Sequence, residues 1–81
     1  MGTPALTLLG IAYGKLNRYD DAKEAYREVV RIKPEDVNAW YNLGVAYFLS
    51  GNKISALDTV RELRRLDPEQ ADKLFDRIMS R

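Results

Sequence analysis

The fold of this 81-residue chain is decided by the stretch Ala39-Trp40-Tyr41-Asn42-Leu43-Gly44-Val45-Ala46-Tyr47. Trp40, Leu43 and Tyr47 are spaced three and four residues apart, so on a helix their side chains form one apolar stripe. Gly44 lies beside that stripe and leaves a gap in which another helix could approach closely. The stretch therefore predicts a helix that packs tightly against a neighbouring helix.

Shifting the sequence by 34 residues reveals a second copy of this pattern. Eleven of the 34 aligned positions carry identical residues. In the first copy they are Ala5, Leu9, Gly10, Ala12, Tyr13, Ala22, Arg27, Glu28, Arg31, Pro34 and Glu35, and in the second Ala39, Leu43, Gly44, Ala46, Tyr47, Ala56, Arg61, Glu62, Arg65, Pro68 and Glu69. An internal repeat of this period is typical of helix-turn-helix units that stack into a solenoid.

The repeated residues resemble the signature of the tetratricopeptide repeat family. The first copy is the looser match, with Leu6 in place of the tryptophan, and Val29 and Leu63 stand where the family usually has a small residue. The resemblance implies an all-α fold in which antiparallel helix pairs stack as a right-handed superhelix. In the second copy the matching residues are Trp40, Leu43, Gly44, Tyr47, Ala56 and Pro68.

We predict five helices in three segments. One helix pair occupies a first repeat over residues 3–36, a second pair occupies a second repeat over residues 37–70, and residues 71–81 form a C-terminal capping helix. Asp20 and Asp36 are expected to be the N-caps of the second and third helices, because their carboxylates can accept hydrogen bonds from free backbone amides.

The turn and core positions follow from the same pattern. Gly51 is expected to end the third helix in a left-handed conformation. Glu28 with Arg31, and Glu62 with Arg65, are expected to form exposed ion pairs one helical turn apart. On the second helix we expect these residues to be buried: Ala22, Ala25, Tyr26, Val29 and Val30. On the fourth helix we expect burial of Ile54, Leu57, Val60, Leu63 and Leu66.

The composition argues against catalysis. The chain contains no cysteine and no histidine, so it lacks disulfides, the usual zinc ligands and the usual general base. Neighbouring carboxylates, such as Asp72 and Asp76, are explained by helix termini or solvated faces, whereas an acid–base or metal site needs a buried environment. We therefore predict a non-catalytic protein without a metal site or cofactor.

The charge pattern argues against nucleic acids and membranes as partners. Thirteen basic and twelve acidic side chains give a net charge of +1, and both signs occur in each repeat, so no basic face for phosphates is evident. The apolar run Ala5–Tyr13 is too short to span a membrane. We recognise no targeting signal in the sequence, and we expect a soluble, cytoplasmic protein.

A binding surface is predicted from the family resemblance, which implies that the first helix of each pair lines a concave groove. Stacking the copies at the 34-residue period gives a groove floor that is mainly apolar and aromatic, with a polar rim, as is typical of a protein-binding surface. We therefore predict an interaction module that binds a peptide or helix of a partner protein. The predicted groove residues are Thr7, Ile11, Lys15, Asn38, Tyr41, Asn42, Val45, Phe48 and Phe75.

One ligand of the family is disfavoured by the residues themselves. Chaperone-binding members hold an acidic carboxyl terminus in a clamp of basic and amide side chains. Here only Asn42 falls at a clamp position, while Asp72 and Asp76 replace a basic pair. These aspartates would repel a carboxylate ligand.

The alternative function is structural assembly. No polar helix precedes the first helix to cover its outer face, and about three repeats are usually needed for independent stability. On this hypothesis the chain is a fragment of a longer array, or it associates with another copy through that face or through the groove.

Overall fold

The computed structural model describes residues 2–80 and forms five α-helices over that range: α1 (Thr3–Lys15), α2 (Tyr19–Ile32), α3 (Val37–Leu49), α4 (Lys53–Leu66) and α5 (Pro68–Met79). The predicted terminal segment, 71–81, includes Arg81, which lies outside the described residues. Each helix packs against the next in the chain, and α3 also packs against α5. This arrangement confirms the predicted all-α fold of consecutive helical hairpins.

The two hairpins turn in the same way. Asn17 and Gly51, which are 34 residues apart, both adopt the left-handed conformation, with φ of 59° and 88°. Glycine has no Cβ to oppose this conformation, and asparagine tolerates it better than most residues. The prediction for Gly51 is confirmed, and the equivalent turn in the first hairpin uses Asn17.

One of the two predicted N-caps is confirmed and the other is wrong. The Asp36 carboxylate accepts a hydrogen bond from the backbone N–H of Ala39 at 3.0 Å and so caps α3. Asp20 does not cap α2, because that helix begins at Tyr19 with Arg18 as its N-cap residue. Asp20 instead lies in the first turn, where a carboxylate is favoured by the positive end of the helix dipole without capping it.

The interior consists of two clusters joined by α3. Trp40 and Tyr47 of α3 pack against both clusters, so the stripe predicted from the sequence links the two hairpins. Trp40 is also held by its indole N–H, which donates to the backbone oxygen of Pro34 at 2.6 Å. One cluster comprises Ala22, Tyr26, Leu43 and Ala46, and the other Ala56, Val60, Leu63, Ala71, Leu74 and Ile78.

The expected burial of Ile54 is wrong. Its side chain is 80% exposed, at the start of α4, while Val60 and Leu63 further along the helix are buried as predicted. Ile54 lies on the solvent-facing side of the first turn of α4, whereas Ala56, two residues later, is fully buried. Ala56 and Thr59 contribute instead to the buried side of α4.

Two glycines permit close packing. A Cβ at Gly44 would lie 2.5 Å from Cδ2 of Leu74, and a Cβ at Gly10 would lie 2.7 Å from the ring of Tyr26. Real Cβ atoms do not approach carbon this closely, so a side chain at either position would force the neighbouring side chain to shift. The gap that the sequence predicted beside the stripe is therefore filled by the side chain of a neighbouring helix.

Candidate functional site

The predicted groove residues lie on α1, α3 and α5 and keep part of their surface accessible. Ile11 is 40% exposed and Phe75 is 41% exposed, so both side chains present apolar surface to solvent. The other members differ in exposure. Lys15 and Asn38 are exposed, whereas Thr7, Tyr41, Asn42, Val45 and Phe48 are half-buried.

Three of these residues are supported by the core. Tyr41, Val45 and Phe48 pack against the cluster formed by α4 and α5 while remaining partly exposed. They are not sealed inside the protein. Because their inner surfaces are fixed by packing, a ligand would meet side chains whose conformations are already restricted.

A cleft between α1 and α3 brings Asn42 and Val45 together. Its volume is about 210 Å³, and α2 forms its base through Tyr19, Ala22 and Tyr26. Thr7, Tyr41 and Phe75 do not line it. The cleft is completed on its sides by Gly10, Gly14, Ala46 and Leu49.

Leu49 is an exposed apolar residue of the cleft that the predicted groove did not include. It lies one helical turn after Val45, and its side chain is 42% exposed. The spacing of Asn42, Val45, Ala46 and Leu49 follows the periodicity of one helix face. The predicted groove already reached Phe48, and continuing the spacing of three and four residues from Asn42 and Val45 would have included Leu49.

A larger cleft lies on the other side of α3, between α2 and α4, and the sequence analysis did not predict it. Its volume is about 630 Å³, and its floor is formed by Trp40, Leu43 and Tyr47. Their spacing in the sequence predicts a helix-packing stripe, and the predicted binding surface does not include them. The charged walls are Arg27 and Arg31 from α2 and Asp58, Arg61 and Glu62 from α4.

Most of the charged residues that line the larger cleft are paired within their own helix. The predicted pairs Glu28–Arg31 and Glu62–Arg65 are formed. The hydrogen bond from Arg31, together with its positive charge, lowers the pKa of the exposed Glu28 carboxyl group and raises the pKa of Arg31. Asp72 on α5 pairs with Arg64 of α4 at 2.7 Å. These pairs are solvated, so each contributes little to stability.

Two other features that can mark a function are metal-binding groups and membrane-spanning helices. Among residues 2–80, no group of three or more acidic side chains is placed to hold a metal ion. None of the five helices has both the length and the apolar character needed to cross a membrane. The surface features with identifiable chemistry are the two clefts and the exposed apolar side chains.

Comparison with known proteins decides the family. A family model described as tetratricopeptide repeat matches residues 7–71. The chain belongs to the tetratricopeptide repeat family. Membership in this family implies a role in protein–protein interaction or as a scaffold, and tetratricopeptide repeat proteins are generally non-catalytic.

Three relatives show the same similarity over part of their length. The chain is 36% identical to Superkiller protein 3 of Schizosaccharomyces pombe over 63 residues, which is 78% of the chain and 4% of that protein. It is 35% identical to Cellulose synthase 2 operon protein C of Komagataeibacter xylinus over 78 residues, 93% of the chain and 6% of that protein.

The third relative is Anaphase-promoting complex subunit 3 of Schizosaccharomyces pombe, with 33% identity over 52 residues, 64% of the chain and 8% of that protein. The chain therefore spans less than a tenth of the length of each of these relatives. What the similarity describes is the repeat unit that the proteins share.

Proposed function

We propose that the chain is a protein–protein interaction module that binds a peptide or helix of a partner protein in a concave groove lined by α1, α3 and α5. The observation that carries this proposal is the partial exposure of Tyr41, Val45 and Phe48, which the core holds in place from beneath. Exposed apolar side chains on a rigid support are typical of surfaces that bind protein ligands.

The groove offers two kinds of contact. Tyr41 and Phe48 provide aromatic anchors, and the α1–α3 cleft beside Val45 provides a recess for an apolar ligand side chain. Asn42 lines this cleft, and its amide can both donate to and accept from a ligand backbone. Asn38 lies one turn earlier on the same helix and is exposed to a ligand in the same way.

The charge at the α5 side of the groove favours some ligands over others. Asp72 and Asp76 are exposed on α5, and Asp72 is already paired with Arg64. A ligand with a basic residue near this edge would be attracted, whereas a ligand that ends in a carboxylate would be repelled. The proposed ligand is therefore an internal peptide segment or helix rather than an acidic chain terminus.

The proposal can be tested with peptides selected from a displayed library for binding to the wild-type chain. We expect Ile11→Ser together with Phe75→Ser to weaken binding of the selected peptides at least tenfold in calorimetric titration, because two exposed apolar side chains of the groove are lost. Ile32→Ser together with Ile54→Ser is the matched control, since it removes two exposed isoleucines from the outer helices α2 and α4.

A second pair of variants tests the anchors themselves. Tyr41→Ala with Phe48→Ala should abolish binding while helicity, measured by circular dichroism, is retained. If both double variants bind as the wild type does, or if the isoleucine control loses affinity equally, the groove is not the binding site.

The second candidate function is structural assembly, and the apolar surface of α1 favours it. Leu8 and Leu16 are 67% and 66% exposed, and Lys15 is the one charged residue in α1. A helix that is apolar around most of its circumference is usually buried. Sedimentation over a range of protein concentrations would show whether this surface mediates association.

A further inference from the structure

Three residues of α1 are exposed although the identical residues at equivalent positions of α3 are buried. In α3, Leu43 and Ala46 are buried in a cluster with Ala22 and Tyr26 of α2. The face of α1 therefore has the chemistry of a helix-packing surface, but no helix covers it within residues 2–80. The exposed residues are Ala5, Leu9 and Ala12, and their buried counterparts are Ala39, Leu43 and Ala46.

This face is more apolar than its counterpart on α3. Leu16 stands where the second copy has Ser50, and Leu8 stands where it has Asn42. α3 packs against α2 with Asn42 and Ser50 at these two positions. Packing of α1 against an outer helix in the same way would therefore require neither leucine. Leu16 instead extends the apolar stripe by one turn beyond Ala12.

The extended stripe alternates small and large side chains. Ala5, Leu9, Ala12 and Leu16 are spaced by four, three and four residues, which places them along one side of a helix. If two copies of α1 run antiparallel about a two-fold axis, Ala5 faces Leu16 of the other copy and Leu9 faces Ala12. Every small residue then meets a large one, as close packing between helices requires.

The charges of α1 do not oppose this pairing. Lys15 is the one charged residue of the helix, and the two-fold axis places the two lysines at opposite ends of the pair. The pairing also leaves the groove accessible, because the helical periodicity puts Thr7 and Ile11 on a different side of α1 from the stripe. Association and ligand binding are therefore separable.

We infer that the stripe Ala5, Leu9, Ala12 and Leu16 is a homodimer interface formed by two antiparallel copies of α1. A single helix pair buries less surface than a typical stable complex. The dimer should therefore be weak, and we expect it to form at micromolar concentrations and above. This inference deepens the assembly hypothesis and does not depend on ligand binding in the groove.

Sedimentation equilibrium tests the inference directly. We expect the wild-type chain to shift from monomer to dimer as its concentration rises, and Leu9→Glu to remain monomeric because a carboxylate would face the alanine of the other copy. Ile54→Glu is the control, since it places the same charge at an exposed isoleucine on α4. Circular dichroism should show equal helicity for all three proteins.

Cross-linking tests the antiparallel register, and the absence of native cysteine makes each introduced thiol unique. In the proposed dimer Ala5 faces Leu16, whereas two Ala5 residues are about 16 Å apart along the helix axis at 1.5 Å per residue. Mixing Ala5→Cys with Leu16→Cys chains should therefore give the mixed disulfide faster than either homodisulfide.

Two results would overturn the inference. A wild-type chain that stays monomeric up to millimolar concentration would show that another copy does not cover α1, as expected if an outer helix of a different hairpin occupies the face. Homodisulfides that form as fast as the mixed disulfide would exclude the antiparallel register.

Discussion

Gly44 lies beneath Leu74, and this contact sets how closely α3 and α5 can pack. Leu74 is fully buried, so it cannot swing away from a methyl group that would lie 2.5 Å from its Cδ2. We expect Gly44→Ala to lower the free energy of unfolding by about 1–3 kcal/mol, the usual effect of overpacking a core.

Gly14 is the matched control for that substitution. It lies inside α1, and a Cβ there meets no atom within 4 Å. Alanine loses less conformational entropy than glycine when a helix forms, so Gly14→Ala should raise the free energy of unfolding by about 0.5–1 kcal/mol. Chemical denaturation of both variants would check the signs, and a loss of stability in Gly14→Ala would contradict the explanation for Gly44.

Tyr26 predicts how stability changes at alkaline pH. Burial raises the pKa of its hydroxyl group above the ordinary tyrosine value of about 10. A group whose pKa is higher in the folded state stabilises the fold fully below its unfolded pKa, and this contribution is lost as the pH rises through the folded pKa. Tyr26→Phe should therefore reduce the decline in unfolding free energy above about pH 10. Denaturation measured at several alkaline pH values tests this, and an unchanged decline would contradict it.

At the scale of single elements, we predict different effects on stability for aspartate substitutions at the N-termini of α2 and α3. Asp36→Ala removes the carboxylate that caps α3 and should lower the free energy of unfolding by about 1 kcal/mol. Asp20→Ala should change it by less than about 0.5 kcal/mol, because Asp20 is exposed and caps no helix. Thermal denaturation of the two variants measures both effects, and equal losses would show that Asp20 has a capping role after all.

The two incorrect predictions from the sequence fall at one repeat position. Asp20 and Ile54 are 34 residues apart, and both lie exposed in the first turn of an outer helix. The local chemistry of aspartate suggested a cap and that of isoleucine suggested a core residue. The backbone position overrides both, because this position of the turn faces solvent in each hairpin, while Ala22 and Ala56, two residues later, are buried. Aligning the two copies could have exposed the conflict, since one position cannot be both a cap and a core site.

What the sequence predicted well depends on local spacing. The stripe of Trp40, Leu43 and Tyr47, the glycine beside it and the turn at Gly51 all follow from residues close together in the chain. The cleft between α2 and α4 could not be predicted in this way, because its width depends on how two helices separated in sequence are held apart by α3. The roles assigned to Tyr41, Phe48 and the other groove residues stay predictions.

At the scale of the whole molecule, α3 is the element that unites the fold. It packs against α2, α4 and α5, and through Trp40 and Tyr47 it contacts both buried clusters. Disturbing α3 should therefore affect both hairpins at once. In contrast, α1 packs mainly against α2 and has Gly10 as its one buried residue.

This difference predicts uneven local stability. Elements with few buried contacts open at lower free energy than the core, so backbone amides of α1 should exchange with solvent faster than those of α3 in a dilute solution of the chain. If α1 also forms the proposed dimer, its amides should become more protected as the protein concentration rises, while those of α3 stay unchanged. Leu9→Glu should remove this concentration dependence. Hydrogen exchange followed by mass spectrometry or nuclear magnetic resonance would measure both effects, and equal exchange of α1 and α3 in dilute solution would mean that the chain opens only as a whole.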